Sequence, residues 1–141
     1  MNKSDIKILV VDDVSELRAF LTGCLKQLGF LNVSQARDGI DAMQQLRKNP
    51  RDIVFLDIEM PKQNGIETLK EIHQYNPDTF VIMLSCHSSL DNVKEAISNG
   101  ASGFIVKPFS SDKVKESLLH FTKNFVEKRH QEAVVKDIWG Q

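Results

Sequence analysis

The stretch Ile53-Val54-Phe55-Leu56-Asp57 decides the fold of this chain. Four apolar residues run directly into one carboxylate, and Ile58-Glu59-Met60-Pro61 then breaks the pattern. A short continuous apolar run is typical of a strand that is buried on both faces, although periodicity alone does not exclude a helix. If the run is such a strand, Asp57 lies at its carboxyl end, where open α/β sheets place their ligand sites.

The composition is typical of one globular domain. The chain has 141 residues, of which 41% are hydrophobic and 26% are charged, so it is long enough for one sizeable core and too apolar for a disordered segment. Lys and Arg total 18 while Asp and Glu total 19, which leaves a formal net charge of −1. This balance gives no bulk electrostatic attraction to nucleic acid or to an acidic membrane.

The cysteines and the apolar runs favour a cytoplasmic location. Cys24 and Cys86 lie in unrelated segments without metal-ligand spacing, so we expect two reduced thiols rather than a disulfide. Residues 1–5 are polar and lack the apolar core of a signal peptide. No apolar run approaches the ~20 residues that a membrane span requires. We therefore expect a cytoplasmic protein that contacts neither membrane nor nucleic acid directly.

Strand patterns and helical patterns alternate five times along the chain. The predicted strands cover residues 6–11, 32–36, 52–57, 79–84 and 103–107, and the second is only mildly apolar, which is typical of an edge strand. Apolar residues at helical spacing follow each strand, with helix starts expected near Val14, Asp38, Ile66, Leu90 and Ser110. Because short connections join these elements, the alternation predicts one parallel sheet covered by helices on both faces.

Local signals refine these elements. Asp38 is a predicted helix N-cap, and Gly29 is a predicted C-terminal cap in the left-handed conformation. His73 and His120 fall in helical patterns far from the strand ends, so we expect both on the solvated surface.

Polar side chains gather where the apolar strands end. The first strand is followed by Asp12 and Asp13, the third ends in Asp57, and the last two end in Ser85 and Lys107. In a parallel sheet these ends lie on one edge, so the five side chains are expected to converge. One polar residue at a strand end means only that the strand stops, but three carboxylates brought together repel unless a cation or a proton joins them.

A hard divalent cation would compensate this repulsion between the carboxylates. Mg²⁺ (or Mn²⁺) prefers oxygen ligands and is commonly held by one or two carboxylates together with phosphate oxygens. Beside such an ion, Asp57 is suited to attack a phosphoryl group as a carboxylate nucleophile and to form an aspartyl phosphate. Lys107 would neutralise charge on the transferring oxygens, and the Ser85 hydroxyl would donate a hydrogen bond to the phosphate.

The set Asp12-Asp13, Asp57, Ser85 and Lys107-Pro108 resembles the receiver domain of two-component response regulators. The resemblance covers roughly residues 5–123, with each matched residue in the corresponding element. It implies a doubly wound α/β fold of the flavodoxin-like (CheY-like) type, with five parallel strands in the order 2-1-3-4-5.

The same resemblance implies the role of each site residue. Asp57 is then the phosphoacceptor, Asp12 and Asp13 are the acidic metal pair, and the backbone carbonyl of Glu59 is a further Mg²⁺ ligand. Lys107 contacts the phosphoryl group, and the Lys107–Pro108 bond is expected to be cis, whereas X-Pro bonds are trans by default.

The resemblance further implies a switch. The Ser85 hydroxyl moves toward the phosphate while an aromatic side chain on the last strand, here Phe104, changes rotamer; the alternative for Phe104 is a plain core residue. Glu59 and His87 occupy positions that tune the lifetime of the phosphate in receivers, and both are equally compatible with surface residues of no effect.

The C-terminal residues are the least determined part of the chain. We expect a receiver domain over residues 1–123 and a helical extension over residues 124–141. The extension carries apolar residues at Phe125, Val126, Val134, Val135, Ile138 and Trp139. It either prolongs the last helix against the body or forms a binding segment for a partner or a second copy. It is too short for a folded DNA-binding output domain.

These observations predict a single-domain response regulator, a monomer or weak dimer and not an enzyme. It would accept a phosphoryl group from a histidine kinase or a phosphotransfer protein and contact an unknown downstream protein. One alternative is a constitutive scaffold that acts through its tail. The other is a Mg²⁺-dependent phosphohydrolase with Asp57 as nucleophile and Glu59 as second acid, which ranks low because residues 62–65 offer no cap domain.

Overall fold

A computed structural model of the chain describes residues 2–87 and 89–129, with side-chain surroundings through Lys123. Five parallel strands form one sheet: β1 (Ile8–Val11), β2 (Val33–Ala36), β3 (Ile53–Asp57), β4 (Phe80–Ser85) and β5 (Gly103–Val106). Their spatial order is β2-β1-β3-β4-β5, so the predicted doubly wound fold and strand order are confirmed. β2 lies at an edge, as its weak apolar character predicted.

One helix follows each strand: α1 (Ser15–Gln27), α2 (Gly39–Lys48), α3 (Gly65–Tyr75), α4 (Leu90–Ser98) and α5 (Ser111–Arg129), and a 3₁₀ turn (Lys3–Asp5) precedes β1. The element bounds differ from the predicted ones by a residue or two. The clearest case is the start of β1, because the amide of Ile6 donates to the carbonyl of Lys3 and so closes the 3₁₀ turn before the strand begins. The expected extension over residues 124–141 lies largely outside the described part.

The two faces of the sheet pack against different helices. Leu21 and Leu25 of α1 join Val114 and Leu118 of α5 in one buried cluster. Side chains from α2, α3 and α4 form the second cluster on the opposite face, among them Met43, Leu69 and Ala96. Helices therefore cover both faces, as the alternation of elements predicted.

The deciding stretch is the middle strand of this sheet. All five residues of β3 are buried, and the strand pairs with β1 on one side and with β4 on the other. Ile53 and Phe55 point into the first cluster, whereas Val54 and Leu56 point into the second. Since burial of each such side chain contributes about 1.5–3 kcal/mol, β3 anchors both halves of the core.

The helix ends follow the predicted signals. Asp38 caps α2 by accepting a hydrogen bond from the Asp41 amide at 2.8 Å. Gly29 and Gly100 adopt left-handed backbone angles, with φ of 99° and 96°, and each follows a helix. These local stops set where each chain segment returns to the sheet.

The expectation for His73 was wrong. This side chain is half-buried, and its Nε2 lies 3.0 Å from the carbonyl oxygen of Thr79 while Nδ1 lies 3.4 Å from that of Asn99. His73 occupies the last turn of α3 at a point where the C-terminal end of α4 comes against it, and this long-range contact covers part of the ring. His120 is exposed, as expected.

Both cysteines are free thiols, with Cys24 buried and Cys86 exposed. Among the helices of residues 2–87 and 89–129, none combines the length and the apolar character needed to cross a membrane.

Two glycines give a matched test of the packing beside the end of β3. A Cβ on Gly65 would lie 2.2 Å from the carbonyl oxygen of Asp57, whereas a Cβ on Gly23 would meet nothing within 4 Å. We expect Gly65→Ala to lower the free energy of unfolding by about 2 kcal/mol or more, because backbone must move to relieve the overlap.

Gly23→Ala serves as the control, since Gly23 lies in the middle of α1 on its solvent-exposed face. It should raise the free energy of unfolding by about 0.5–1 kcal/mol through helix propensity alone. Urea unfolding followed by circular dichroism measures both, and equal effects of the two substitutions would contradict the close approach at Gly65.

Candidate functional site

The predicted side chains meet at the carboxyl edge of the sheet. Asp12 directly follows β1, Asp57 is the last residue of β3, Ser85 is the last residue of β4, and Lys107 directly follows β5. These four strands are consecutive neighbours in the sheet, so their ends are brought together by the strand order alone. Asp12, Asp57 and Ser85 are at most 1% exposed.

Lys107 holds two of the carboxylates. Its Nζ lies 2.8 Å from Oδ2 of Asp12 and 3.1 Å from Oδ1 of Asp57. The exposed fractions of the side chains are 9% for Lys107 and 2% for each aspartate, so water screens these charges weakly. Because Lys107 and Asp12 are separated by 95 positions in sequence, their hydrogen bond joins distant parts of the fold.

The ammonium satisfies Asp12 better than Asp57. Asp12 accepts from Lys107 through Oδ2 and from the Val14 amide through Oδ1 at 2.9 Å. Oδ1 of Asp57 is buried and, although it lies close to Nζ, makes no well-directed hydrogen bond to any described residue. A buried carboxylate oxygen in this condition is unfavourable and invites a cation or another donor.

Burial raises the pKa of Asp57 from its ordinary 3.8 to about 7, and the nearby charge of Asp12 adds to this effect while Lys107 opposes it. For Lys107, burial acts against the charged form, but the hydrogen bond to Asp12 and the charge of Asp57 outweigh it, so the pKa of the ammonium is raised. Near neutral pH the site therefore contains a firmly charged ammonium beside a carboxyl group that titrates.

Asp12, Asp13 and Asp57 fit a hard divalent cation. One carboxylate oxygen from each lies within 4.8 Å of the others, and Asp13 is exposed, which leaves one side open to solvent. All three groups offer oxygen, the ligand type that Mg²⁺ prefers. The Lys107 ammonium is shared between Asp12 and Asp57, and Oδ1 of Asp57 makes no well-directed hydrogen bond to a described residue, so further positive charge would stabilise this site.

Two basic residues near the site take different positions. Arg18 donates from Nη1 to the backbone carbonyl of Asp12 at 2.7 Å and so braces the turn after β1. The sequence does not predict this hydrogen bond, because a contact with a backbone carbonyl leaves no pattern in the sequence. Lys62 is exposed, and its Nζ lies 4.0 Å from Oδ2 of Asp38, outside the Lys107 ion pair.

A second network surrounds Ser85. Its hydroxyl donates to Oε2 of Glu59 at 2.7 Å, and the Cys86 amide donates to Oε1 of the same carboxylate at 3.0 Å. The His87 amide donates to the Ser85 hydroxyl at 3.0 Å, while the His87 residue is exposed. The side chain of Glu59 thus contacts the end of β4, a link that its spacing from Asp57 did not reveal.

The two remaining predicted residues lie on and after β5. Phe104 pairs in register with Met83, is half-buried, and packs against the cluster under α2, α3 and α4. It also lines a groove of about 530 Å³ together with residues of α5, including Leu119 and His120. The peptide bond between Lys107 and Pro108 is cis.

Comparison with known proteins gives a consistent result. The model of the response regulator receiver domain family matches residues 8–119. The chemotaxis protein CheY of Listeria monocytogenes is 39% identical over 113 residues, which are 80% of this chain and 95% of that protein.

Two solved structures extend the similarity to the fold. The chemotaxis protein CheY4 of Vibrio cholerae is 29% identical with a TM-score of 0.78, over 82% of this chain and 98% of that one. A chain of the CheX-CheY-BeF3-Mg²⁺ complex of Borrelia burgdorferi is 34% identical with a TM-score of 0.78, over 81% and 87% of the two chains. With the family match, the fold and the acidic pocket in agreement, this chain belongs to the response regulator receiver family, the phosphoacceptor proteins of two-component signalling.

Proposed function

We propose that this chain is a single-domain response regulator that accepts a phosphoryl group on Asp57 and signals through phosphorylation-dependent protein contacts. The observation that carries the proposal is the buried Oδ1 of Asp57, which lies beside two further carboxylates and one ammonium without a well-directed hydrogen bond. A carboxylate in this setting is poorly solvated and hence nucleophilic.

The transfer is an exchange of one bond for another. A carboxylate oxygen of Asp57 attacks phosphorus, the P–N bond of a phosphohistidine donor breaks, and the leaving imidazole takes up a proton. Lys107 compensates negative charge on the transferred oxygens, and the Ser85 hydroxyl is the donor that can turn toward them. The donor is a histidine kinase or a histidine phosphotransfer protein.

Mg²⁺ (or Mn²⁺) fits the site through Asp12, Asp13 and Asp57, with the backbone carbonyl of Glu59 as a further proposed ligand. When bound, the ion would neutralise charge on the carboxylates and on the phosphoryl oxygens. The residues of the chain orient the acceptor: Arg18 braces Asp12, and Lys107 keeps Asp12 and Asp57 close together.

The output is proposed to pass from Ser85 to Phe104 and then to the surface formed by α4, β5 and α5. Phosphorylation adds roughly −1.5 to −2 charges, which is enough to bias an element with two arrangements. The half-buried position of Phe104 beside an open groove supports a side chain that can change rotamer. The proposed receiver domain comprises residues 1–123, and residues 124–141 are a proposed partner-binding extension.

The role of Asp57 as acceptor is tested by substitution. We expect Asp57→Asn to abolish labelling by radioactive acetyl phosphate or by a cognate kinase, because an amide has no nucleophilic carboxylate oxygen. Asp91→Asn, an exposed aspartate on the first turn of α4, is the matched control and should label like wild type. Undiminished Mg²⁺-dependent labelling of Asp57→Asn would overturn the assignment.

The buried carboxyl group of Asp57 should make the stability of the chain depend on pH. Because the pKa of Asp57 is about 7 in the folded chain and 3.8 is its ordinary value, the unfolded chain ionises first as pH rises. The free energy of unfolding should therefore fall between about pH 4 and pH 7, and the full penalty should be present above pH 7. At ~1.4 kcal/mol for each pKa unit, the difference between 3.8 and about 7 makes the penalty on the order of 4 kcal/mol.

Asp57→Asn removes this penalty. Without divalent ions the variant should be more stable than wild type by on the order of 4 kcal/mol at pH 8, and the difference should vanish near pH 4. Saturating Mg²⁺ should narrow the difference at pH 8, since it stabilises the wild-type carboxylates. Urea titrations at the two pH values measure this, and a variant less stable than wild type at pH 8 would contradict the burial argument.

A mimic of the phosphoryl group separates a switch from a constitutive scaffold. Beryllofluoride with Mg²⁺ mimics a phosphoryl group on an aspartate, and it should change the amide resonances of Ser85 and Phe104 in wild type but not in Asp57→Asn. A scaffold that ignores phosphorylation would give no change at Phe104. Catalytic turnover of a generic phosphate ester would instead favour the phosphohydrolase alternative.

A further inference from the structure

The carboxylate of Glu59 links the segments that follow β3 and end β4. Its Oε2 accepts a hydrogen bond from the Ser85 hydroxyl at 2.7 Å, and its Oε1 accepts one from the Cys86 amide at 3.0 Å. Both oxygens are therefore engaged by consecutive residues of one segment. The residue itself is exposed, so this arrangement does not come from burial of the side chain.

The hydroxyl of Ser85 can donate only one proton. The alternative acceptor, the His87 carbonyl oxygen, lies at 3.1 Å, which is longer than the 2.7 Å to Glu59. A charged acceptor also makes the stronger hydrogen bond. Ser85 is 0% exposed, so the hydroxyl has no direct access to bulk water. In the unphosphorylated chain the single proton is thus committed to Glu59.

A phosphoryl group on Asp57 would compete with Glu59 in two ways. The transferred group needs the same hydroxyl proton, and it adds roughly −1.5 to −2 charges near an existing carboxylate. The charge of Glu59 already reaches the acceptor, because it adds to the effects of burial and of Asp12 that raise the pKa of Asp57. Since Glu59 is exposed, its side chain can rotate into water when it is displaced.

We propose that Glu59 is a positioning residue, a latch that holds the Ser85 hydroxyl on its own carboxylate until a phosphoryl group displaces it. The proposal rests on the phosphoacceptor function of Asp57. The latch favours the unphosphorylated arrangement of the segment after β4, so its strength sets part of the free energy that phosphorylation must supply. Loss of the latch favours the phosphoryl-bound arrangement.

The test measures binding of beryllofluoride in the presence of Mg²⁺ by titration calorimetry. Glu59→Ala should bind about tenfold more tightly than wild type, the lower end of the range expected for release of one charge-assisted hydrogen bond. Glu59→Gln, whose amide oxygen still accepts from the hydroxyl, should show a smaller gain. Asp91→Ala removes an exposed carboxylate from the start of α4 and should bind like wild type.

A double-mutant cycle separates the latch from simple charge repulsion. If Glu59 acts through the Ser85 hydroxyl, the gain from Glu59→Ala should shrink to less than about twofold in a Ser85→Ala background. A gain that is equal in both backgrounds would mean that only the negative charge matters and would overturn the latch.

The Cys86 amide reports the latch directly. Its hydrogen exchange should be protected in the free wild-type chain and should become faster in Glu59→Ala and on addition of beryllofluoride with Mg²⁺. If wild type binds beryllofluoride but Glu59→Ala binds with equal affinity, the latch is wrong and the proposed function stands. If wild type binds none, both proposals fall together.

Discussion

The ion pair of Lys107 with Asp12 and Asp57 determines the character of the whole carboxyl edge of the sheet. It joins the ends of β1, β3 and β5 through contacts of 2.8 and 3.1 Å, among side chains that are almost fully buried. Asp12 and Asp57 both depend on Lys107, because removal of the ammonium would leave buried carboxylates without a compensating charge and would cost about 3–5 kcal/mol. Folding must therefore bring the carboxyl ends of β1, β3 and β5 close together.

The site has one rigid side and one adaptable side. On the rigid side, β3 is buried on both faces, and α3 begins so close to it that only glycine fits at Gly65. This packing fixes the backbone that carries Asp57. On the other side, Glu59, Cys86 and His87 are exposed and are linked to Ser85 by a few hydrogen bonds. When a rigid phosphate acceptor lies beside a weakly held segment, a change of charge on the acceptor can move that segment.

The fold and the convergence of the site residues could be predicted from the sequence, because both follow from local patterns. Apolar runs and helical spacing identify each element, and parallel strands bring their ends together without any knowledge of long-range contacts. The contacts that the sequence did not predict all depend on how separate elements meet: the partial burial of His73 against the end of α4, the backbone carbonyl that Arg18 contacts, and the hydrogen bond from Ser85 to Glu59. Side-chain direction and helix placement decide these contacts, and neither has a periodic signal.

The carboxyl edge of the sheet has many hydrogen-bond acceptors and few donors. This imbalance connects the structure of the site to its proposed response to phosphorylation. Asp12, Asp13, Asp57 and Glu59 bring four carboxyl groups, while among the described residues Lys107 and Ser85 are the side-chain donors that contact them. Both donors are already shared or committed before any phosphoryl group arrives. A phosphoryl group adds acceptors but no donor, so it can be satisfied only if hydrogen bonds are redistributed or a cation is recruited. In such a site a change of charge on Asp57 necessarily becomes a change of contacts around Lys107 and Ser85.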